Sequence, residues 1–153
     1  MYNICIRIVP IQADAEDIVQ ESFIKAFNNL DSYKGVSTFG AWLKRIVINT
    51  SINHLKKRKQ WLVNIDELPI PIEDCSRNDL ADEGFLNKIS PEMIHKAIKS
   101  LPIKARVVFN LYLLEGYLHK EIAEMLDISE STSKSQYQRA LKLLQERLKR
   151  ELG

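Results

Sequence analysis

Residues Glu121–Leu144 read EIAEMLDISESTSKSQYQRALKLL, and their pattern decides the fold of the C-terminal half. Asp127-Ile128-Ser129 is a three-residue turn, and Ser129 can cap the following helix with its hydroxyl. A short helix over about 119–126 precedes the turn. After it, Tyr137, Ala140, Leu141, Leu144 and Leu148 fall at the spacing of one buried helical face. Short helix, tight turn and longer helix make a helix-turn-helix. Its outward face carries Ser131, Lys134, Ser135, Gln138 and Lys142, which can reach base edges or phosphates from a major groove. A plain helical hairpin with a solvated face has the same periodicity, so spacing leaves both open.

Working upstream, Ser90-Pro91 supplies an N-cap followed by proline at the first helical position, and Glu92 meets the positive end of the helix dipole. Met93, Ile94, Ala97, Ile98 and Leu101 make that helix's core face. Pro102 interrupts the pattern, and Val107, Val108, Leu111 and Tyr112 give a second helix that ends near Gly116, a suitable C-terminal cap. Residues 61–90 hold Pro69, Pro71, many acids and no sustained helical period, which reads as a linker.

A second helical unit precedes the linker. Met1–Val9 reads as the end of an amphipathic helix, broken at Pro10. Asp14 is placed to cap the next helix, with Glu16 and Asp17 in its first turn and Val19, Phe23, Ala26, Phe27 and Leu30 on its core face. Residues 31–37 form a loop through Gly35. A third helix runs from about Thr38 to Arg58, with Phe39, Trp42, Leu43, Ile46 and Val47 expected inside and Arg45, Asn49, Asn53 and Lys56 on another face. That polar stripe ends in KKRK and suits a nucleic acid, although a solvated helix face would look the same. The expected fold is all-α: two small helical domains, 1–60 and 91–153, joined by an acidic linker, 61–90, the C-terminal one a helix-turn-helix.

Charge supports the partition. The net charge is only +2, yet residues 44–59 carry Lys44, Arg45, Lys56, Lys57, Arg58 and Lys59 without an acid. The stretch 61–92 carries Asp66, Glu67, Glu73, Asp74, Asp79, Asp82, Glu83 and Glu92 against Arg77 and Lys88. Cys5 and Cys75 show no CxxC spacing, and His54, His95 and His119 are scattered, so neither a metal site nor a disulfide framework is expected. The five glycines are isolated, leaving no phosphate-cradling loop. No apolar run approaches the roughly 18 residues of a membrane span. A cytoplasmic protein without cofactor, metal or catalytic residues is expected.

Two strings resemble one family. DAEDIVQESFIKAFNNLDSYKGVSTFGAWLKRIVINTSINHLKKRK, residues 14–59, resembles the second conserved domain of bacterial sigma factors, in particular the extracytoplasmic-function subgroup of the sigma-70 family. EIAEMLDISESTSKSQYQRALKLL resembles the fourth conserved domain of the same subgroup. Both occur in the family's order, with the acidic linker where larger members carry a third domain. The resemblance implies a factor that brings core RNA polymerase to promoters and helps to melt them.

The resemblance also implies roles. Asp17, Gln20 and Glu21, matching DxxQE, would bind the clamp helices of the polymerase's beta-prime subunit, with the beta subunit a further contact. Lys34, Ser37, Thr38, Phe39 and Trp42 would capture a base flipped from the minus-ten element, followed along the helix by Arg45, Asn49, Asn53 and Lys56. Ser131, Lys134, Ser135, Gln136, Gln138, Arg139 and Lys142 would face the minus-35 element, Arg139 and Lys142 near phosphates. Phe39 and Trp42 equally suit a core. An anti-sigma partner is implied, and no membrane insertion.

The sequence departs from the family in three ways. Members usually begin a few turns before MYNIC, so the first domain is expected to be N-terminally short. Leu118 stands where a capping Ser or Thr is usual, and Asp127 where Gly is common. Competing functions are a stand-alone helix-turn-helix regulator dimerising through the first unit, a truncated sigma-like decoy, and a metal-dependent nuclease built on the acids of 14–21.

Overall fold

A computed structural model describes residues 1–58, 61, 84 and 87–153. Among these residues there are seven α-helices and no strand, as the sequence predicts. The chain divides into two compact units, Met1–Val63 and Asn64–Gly153. Most of the expected acidic linker lies outside the described residues. Trp61, expected at its head, is instead buried, with its amide bonded to the Arg58 carbonyl at 3.0 Å.

The first unit comprises α1 (Tyr2–Ile8), α2 (Gln12–Asn28), a 3-10 turn (Leu30–Ser32) and α3 (Phe39–Lys56). Its core is Cys5, Ile8, Val9, Ala15, Ile18, Leu43, Val47, Ile48, Ile52 and Leu55, and α1 packs on both longer helices. The buried hydroxyls need no distant partner: Ser22, Thr50 and Ser51 each donate to the carbonyl four residues back, at 2.6, 2.8 and 2.7 Å.

Three expectations in this unit are corrected. Asp14 is not the cap of α2. The helix starts earlier, at Gln12, with Ile11 in the cap position, so Asp14 lies in the first turn. There its carboxylate binds the Arg58 guanidinium and lies 3.6 Å from His54 Nε2, tying the start of α2 to the end of α3. Second, the buried face of α2 is Ala15, Ile18, Ser22 and Ala26, while Phe27 is 70% exposed and Phe23 and Leu30 are also exposed. Small side chains let α2 approach its neighbours closely, and that turns the bulky ones outward. Third, Phe39 is 46% exposed and Trp42 and Ile46 are half-buried, whereas Leu43 and Val47 are buried as expected. Thr38 does cap α3, accepting the Ala41 amide at 3.2 Å.

The second unit comprises α4 (Pro91–Lys99), α5 (Ile103–Phe109), a π turn (Asn110–Leu114), α6 (His119–Leu126) and α7 (Glu130–Leu152). Ala97, Leu101, Ala105, Phe109, Ala140, Leu144 and Leu148 form one core cluster. Ile94, expected in it, is exposed. Ser90 accepts the Met93 amide at 3.3 Å, as the Ser-Pro signal requires. Arg106 is buried. Its Nη1 donates to the Lys99 carbonyl at 3.2 Å, which fastens α5 to the end of α4, and burial pushes its pKa down. The expected second helix is thus α5 with a π turn appended, a widened stretch that apolar periodicity does not reveal.

The helix-turn-helix boundaries match the sequence reading. Gly116 follows the π turn at φ +77°. Asp127 closes α6 in the left-handed region at φ 57°, ψ 48°, a conformation Asp tolerates better than most residues. Ser129 caps α7 by accepting the Thr132 amide at 3.1 Å. At the start of α6 the Leu118 side chain can accept nothing, and the Glu121 carboxylate instead accepts the Leu118 amide at 2.8 Å.

Candidate functional site

The α3 surface is built from a loop and a stripe. After the 3-10 turn, Gly35 takes φ +70° and the Tyr33 hydroxyl donates to the Ser37 carbonyl at 2.7 Å, drawing the loop closed. Tyr33, Phe39 and Trp42 form an aromatic cluster with ring centroids 5.4 to 5.7 Å apart. Lys34, Ser37 and Thr38 are exposed beside it. At 3.6 residues per turn, Phe39, Trp42, Arg45, Ile46, Asn49, Asn53 and Lys56 all fall within about a third of the helix circumference. Sequence reasoning divided these residues between a core face and a polar face. They form one accessible strip, because the buried arc of α3 is centred on Leu43, Val47, Ser51 and Leu55.

Beside that strip lies a groove of about 460 Å³ lined by Lys25, Asn29, Ser32, Trp42, Ile46, Asn49, Thr50 and Asn53. Asn49 and Asn53 were expected at a binding surface, whereas the contribution of Lys25, Asn29 and Ser32 was missed. Those three become neighbours of α3 only through the packing of α2, which no local pattern reports. The groove can hold a flat ring against Trp42 with amide donors and acceptors around its edge. Not all of KKRK is free for such work, since Arg58 is committed to Asp14.

On α2, Asp17, Gln20 and Glu21 are exposed along one edge. Lys25 bonds to Glu21 at 2.6 Å, and that contact holds the Glu21 carboxyl below its ordinary pKa. The same face continues into Ile24, which is 60% exposed, and Phe27. An apolar pair in water beside a charged edge marks a surface suited to a partner. Ile24 has no place in the apolar period of α2, and that misfit was its available signal.

On α7, Ser131 and Lys134 are exposed, Ser135 and Gln138 are half-exposed, and Lys142 is exposed one turn further on, so the expected outward face exists. Arg139 is half-buried at its margin. Gln136, however, is only 7% exposed and points into the unit, so its expected place against DNA is corrected. It sits 200° around the helix from Lys134, on the side that packs the core. Lys134 Nζ is 3.4 Å from Glu130, a surface pairing that a phosphate can compete for.

Comparison with known proteins agrees with this geometry. Residues 1–61 match the family model for sigma-70 region 2, and residues 92–144 match that for sigma-70 region 4. The chain is 34% identical over 145 residues to the ECF RNA polymerase sigma-E factor of Escherichia coli, covering 88% of this chain and 73% of that protein. It is 30% identical over 141 residues to the ECF RNA polymerase sigma-E factor of Haemophilus influenzae, covering 88% and 75%. Among solved structures it resembles the sigma factor RpoE of Bartonella quintana in complex with the anti-sigma factor NepR, with TM-score 0.63, 25% identity, and 97% and 89% of the two chains covered.

Proposed function

The chain belongs to the extracytoplasmic-function RNA polymerase sigma factors of the sigma-70 family, and on that premise we propose how its three exposed faces divide the work of directing transcription initiation. The α2 edge of Asp17, Gln20 and Glu21, extended by Ile24 and Phe27, docks on the clamp helices of core RNA polymerase. Lys34, Ser37, Thr38 and Phe39, with the strip through Arg45, Asn49, Asn53 and Lys56, hold the opened minus-ten strand. An unstacked base on Trp42 or Phe39 contributes about 1 to 3 kcal/mol, enough to bias a marginal melting step. The α7 face of Ser131, Lys134, Ser135, Gln138 and Lys142, with Arg139 at its margin, enters the minus-35 major groove. Gln136 is left out.

Bond-making belongs to the polymerase, and this chain contributes positioning. We place it in the cytoplasm with that enzyme; no described helix is long and apolar enough to cross a membrane. A neighbour solved in complex with an anti-sigma factor supports an anti-sigma partner here as well.

The observation that carries the proposal is the pairing of an exposed aromatic and amide strip on α3 with an exposed polar face on α7, in a chain that matches both regions. Its test is reconstituted transcription: the purified chain, core polymerase of its source and a genomic fragment library, with transcript starts sequenced. Starts that share two spaced upstream elements and vanish without the chain are expected. Tight polymerase binding without specific starts would point to a decoy. No polymerase binding at all would point to a stand-alone regulator.

A further inference from the structure

His119 sits at the junction of three elements in the second unit, and none of the roles above uses it. It opens α6. Its ring stacks on Tyr112 of the π turn, with centroids 4.2 Å apart and planes 13° from parallel. Against α7 it meets the Tyr137 ring edge-on at 5.7 Å. Its Nδ1 lies 2.9 Å from Ser133 Oγ, and Ser133 is wholly buried in α7. Tyr112 and Tyr137 are themselves 4.6 Å apart, so the rings of His119, Tyr112 and Tyr137 close a triangle, with Phe109 a further 6.1 Å from Tyr137.

We propose that the His119–Ser133 hydrogen bond is a positioning contact that sets the rotation of α7 about its axis, and so decides which bases of the upstream promoter element Lys134 and Gln138 can read. The proposal rests on the sigma-factor reading above. Ring stacking alone permits α7 to turn or slide, because faces of rings tolerate lateral displacement. A hydrogen bond does not, since it weakens steeply as its distance and angle depart from the optimum. Ser133 is the residue immediately before Lys134, and the bond is made on the inner side of the helix, while Lys134 looks out and Gln138, half-exposed with its amide oxygen buried, borders the same face. A rotation of α7 that breaks the inner bond moves both readers across the groove floor. Base discrimination is sensitive to such a shift, because a bidentate or edge contact requires its donor and acceptor within a few tenths of an ångström.

The groups facing the imidazole are Tyr112 from the π turn and Ser133, Tyr137, Lys134 and Glu130 from α7. Burial and Lys134 oppose its protonation and Glu130 favours it, with the net result that the His119 pKa lies below the ordinary histidine value. At neutral pH the ring is therefore uncharged, and Nδ1 and the Ser133 hydroxyl share one hydrogen bond whose donor is set by the ring tautomer. Acid places a second cation beside Lys134, which works against the resting arrangement.

The test uses the full chain with core polymerase on a genomic fragment library, comparing the native sequence with His119→Phe, which keeps a stacked ring, Ser133→Ala, and the double variant. The readout is the ratio of binding to fragments bearing the selected upstream element over fragments in which that element is scrambled. We expect each single variant to lower the ratio about three- to tenfold, and the double variant to fall no further than the singles. The native ratio should decline from pH 7.5 to pH 5.5 and that of His119→Phe should not. Polymerase affinity and the minus-ten element should stay as in the native chain, and a native helical circular dichroism signal with a cooperative melting transition of the second unit shows that a variant is folded. An unchanged ratio in folded variants, or strictly additive losses, would overturn the positioning role alone. Absence of any upstream element with the native chain would overturn the sigma reading itself.

Discussion

Leu118 is the N-cap of α6 with an extended backbone, φ −74° and ψ 152°, and an exposed side chain that can accept no hydrogen bond. Replacing it with Ser offers the third amide of the helix an acceptor without disturbing packing. Leu118→Ser should therefore stabilise the second unit by about 1 kcal/mol, read as a higher melting temperature in calorimetry. His119 gives the opposite kind of residue effect. Its pKa is below the ordinary value near 6.5, so the folded unit takes up this proton at lower pH than the unfolded chain does. Its stabilising contribution is fully present above about pH 6.5 and is lost as pH falls through the folded value. The melting temperature of the second unit should thus drop more between pH 7 and pH 5 in the native chain than in His119→Phe. Neither residue's effect was legible beforehand. The departure at Leu118 could be seen in the sequence, but the compensating Glu121 carboxylate and the Tyr112 stack depend on which way side chains turn once the helices pack.

At the scale of elements, α2 and α7 each make one prediction. Asp17→Ala with Gln20→Ala, and separately Ile24→Ser with Phe27→Ser, should weaken binding to core polymerase by about tenfold or more in a fluorescence titration while leaving the helical content intact. Equal affinity in both pairs would discredit the α2 edge. Lys142→Ala should weaken holoenzyme binding to all promoter sequences alike and reduce the slope of log affinity against log salt by about one, the mark of one lost phosphate contact. Boundaries of elements were the most legible feature, because capping residues are local: Ser90 and Ser129 cap the helices they announce, although Asp14 does not cap α2. Facing was less legible. On α2 the bulky Phe23, Phe27 and Leu30 suggested the core, and the close approach of Ala15, Ser22 and Ala26 reversed it. On α7 the exposed polar face was anticipated but Gln136 was misplaced, since a polar side chain offers no hint that it is to be buried.

For the whole molecule, two small units with a net charge of +2 can gather few phosphate contacts at once. The free chain should bind a promoter fragment weakly. Core polymerase, by presenting both units together, should tighten that binding by about a hundredfold or more in a competition assay, an avidity effect rather than a new contact. A gain of only a few fold would mean that the two units do not engage the same promoter together. The position of the two tryptophans gives that experiment its own optics. Trp61 is buried, whereas Trp42 is half-buried, wedged between Phe39 and Tyr33 and walling the groove beside Asn49 and Asn53. A nucleobase stacked on an indole quenches its emission, so in a Trp61→Phe chain light from Trp42 becomes a label-free clock for strand capture. A stopped-flow trace at that wavelength would time the arrival of the first unpaired base independently of the appearance of RNA.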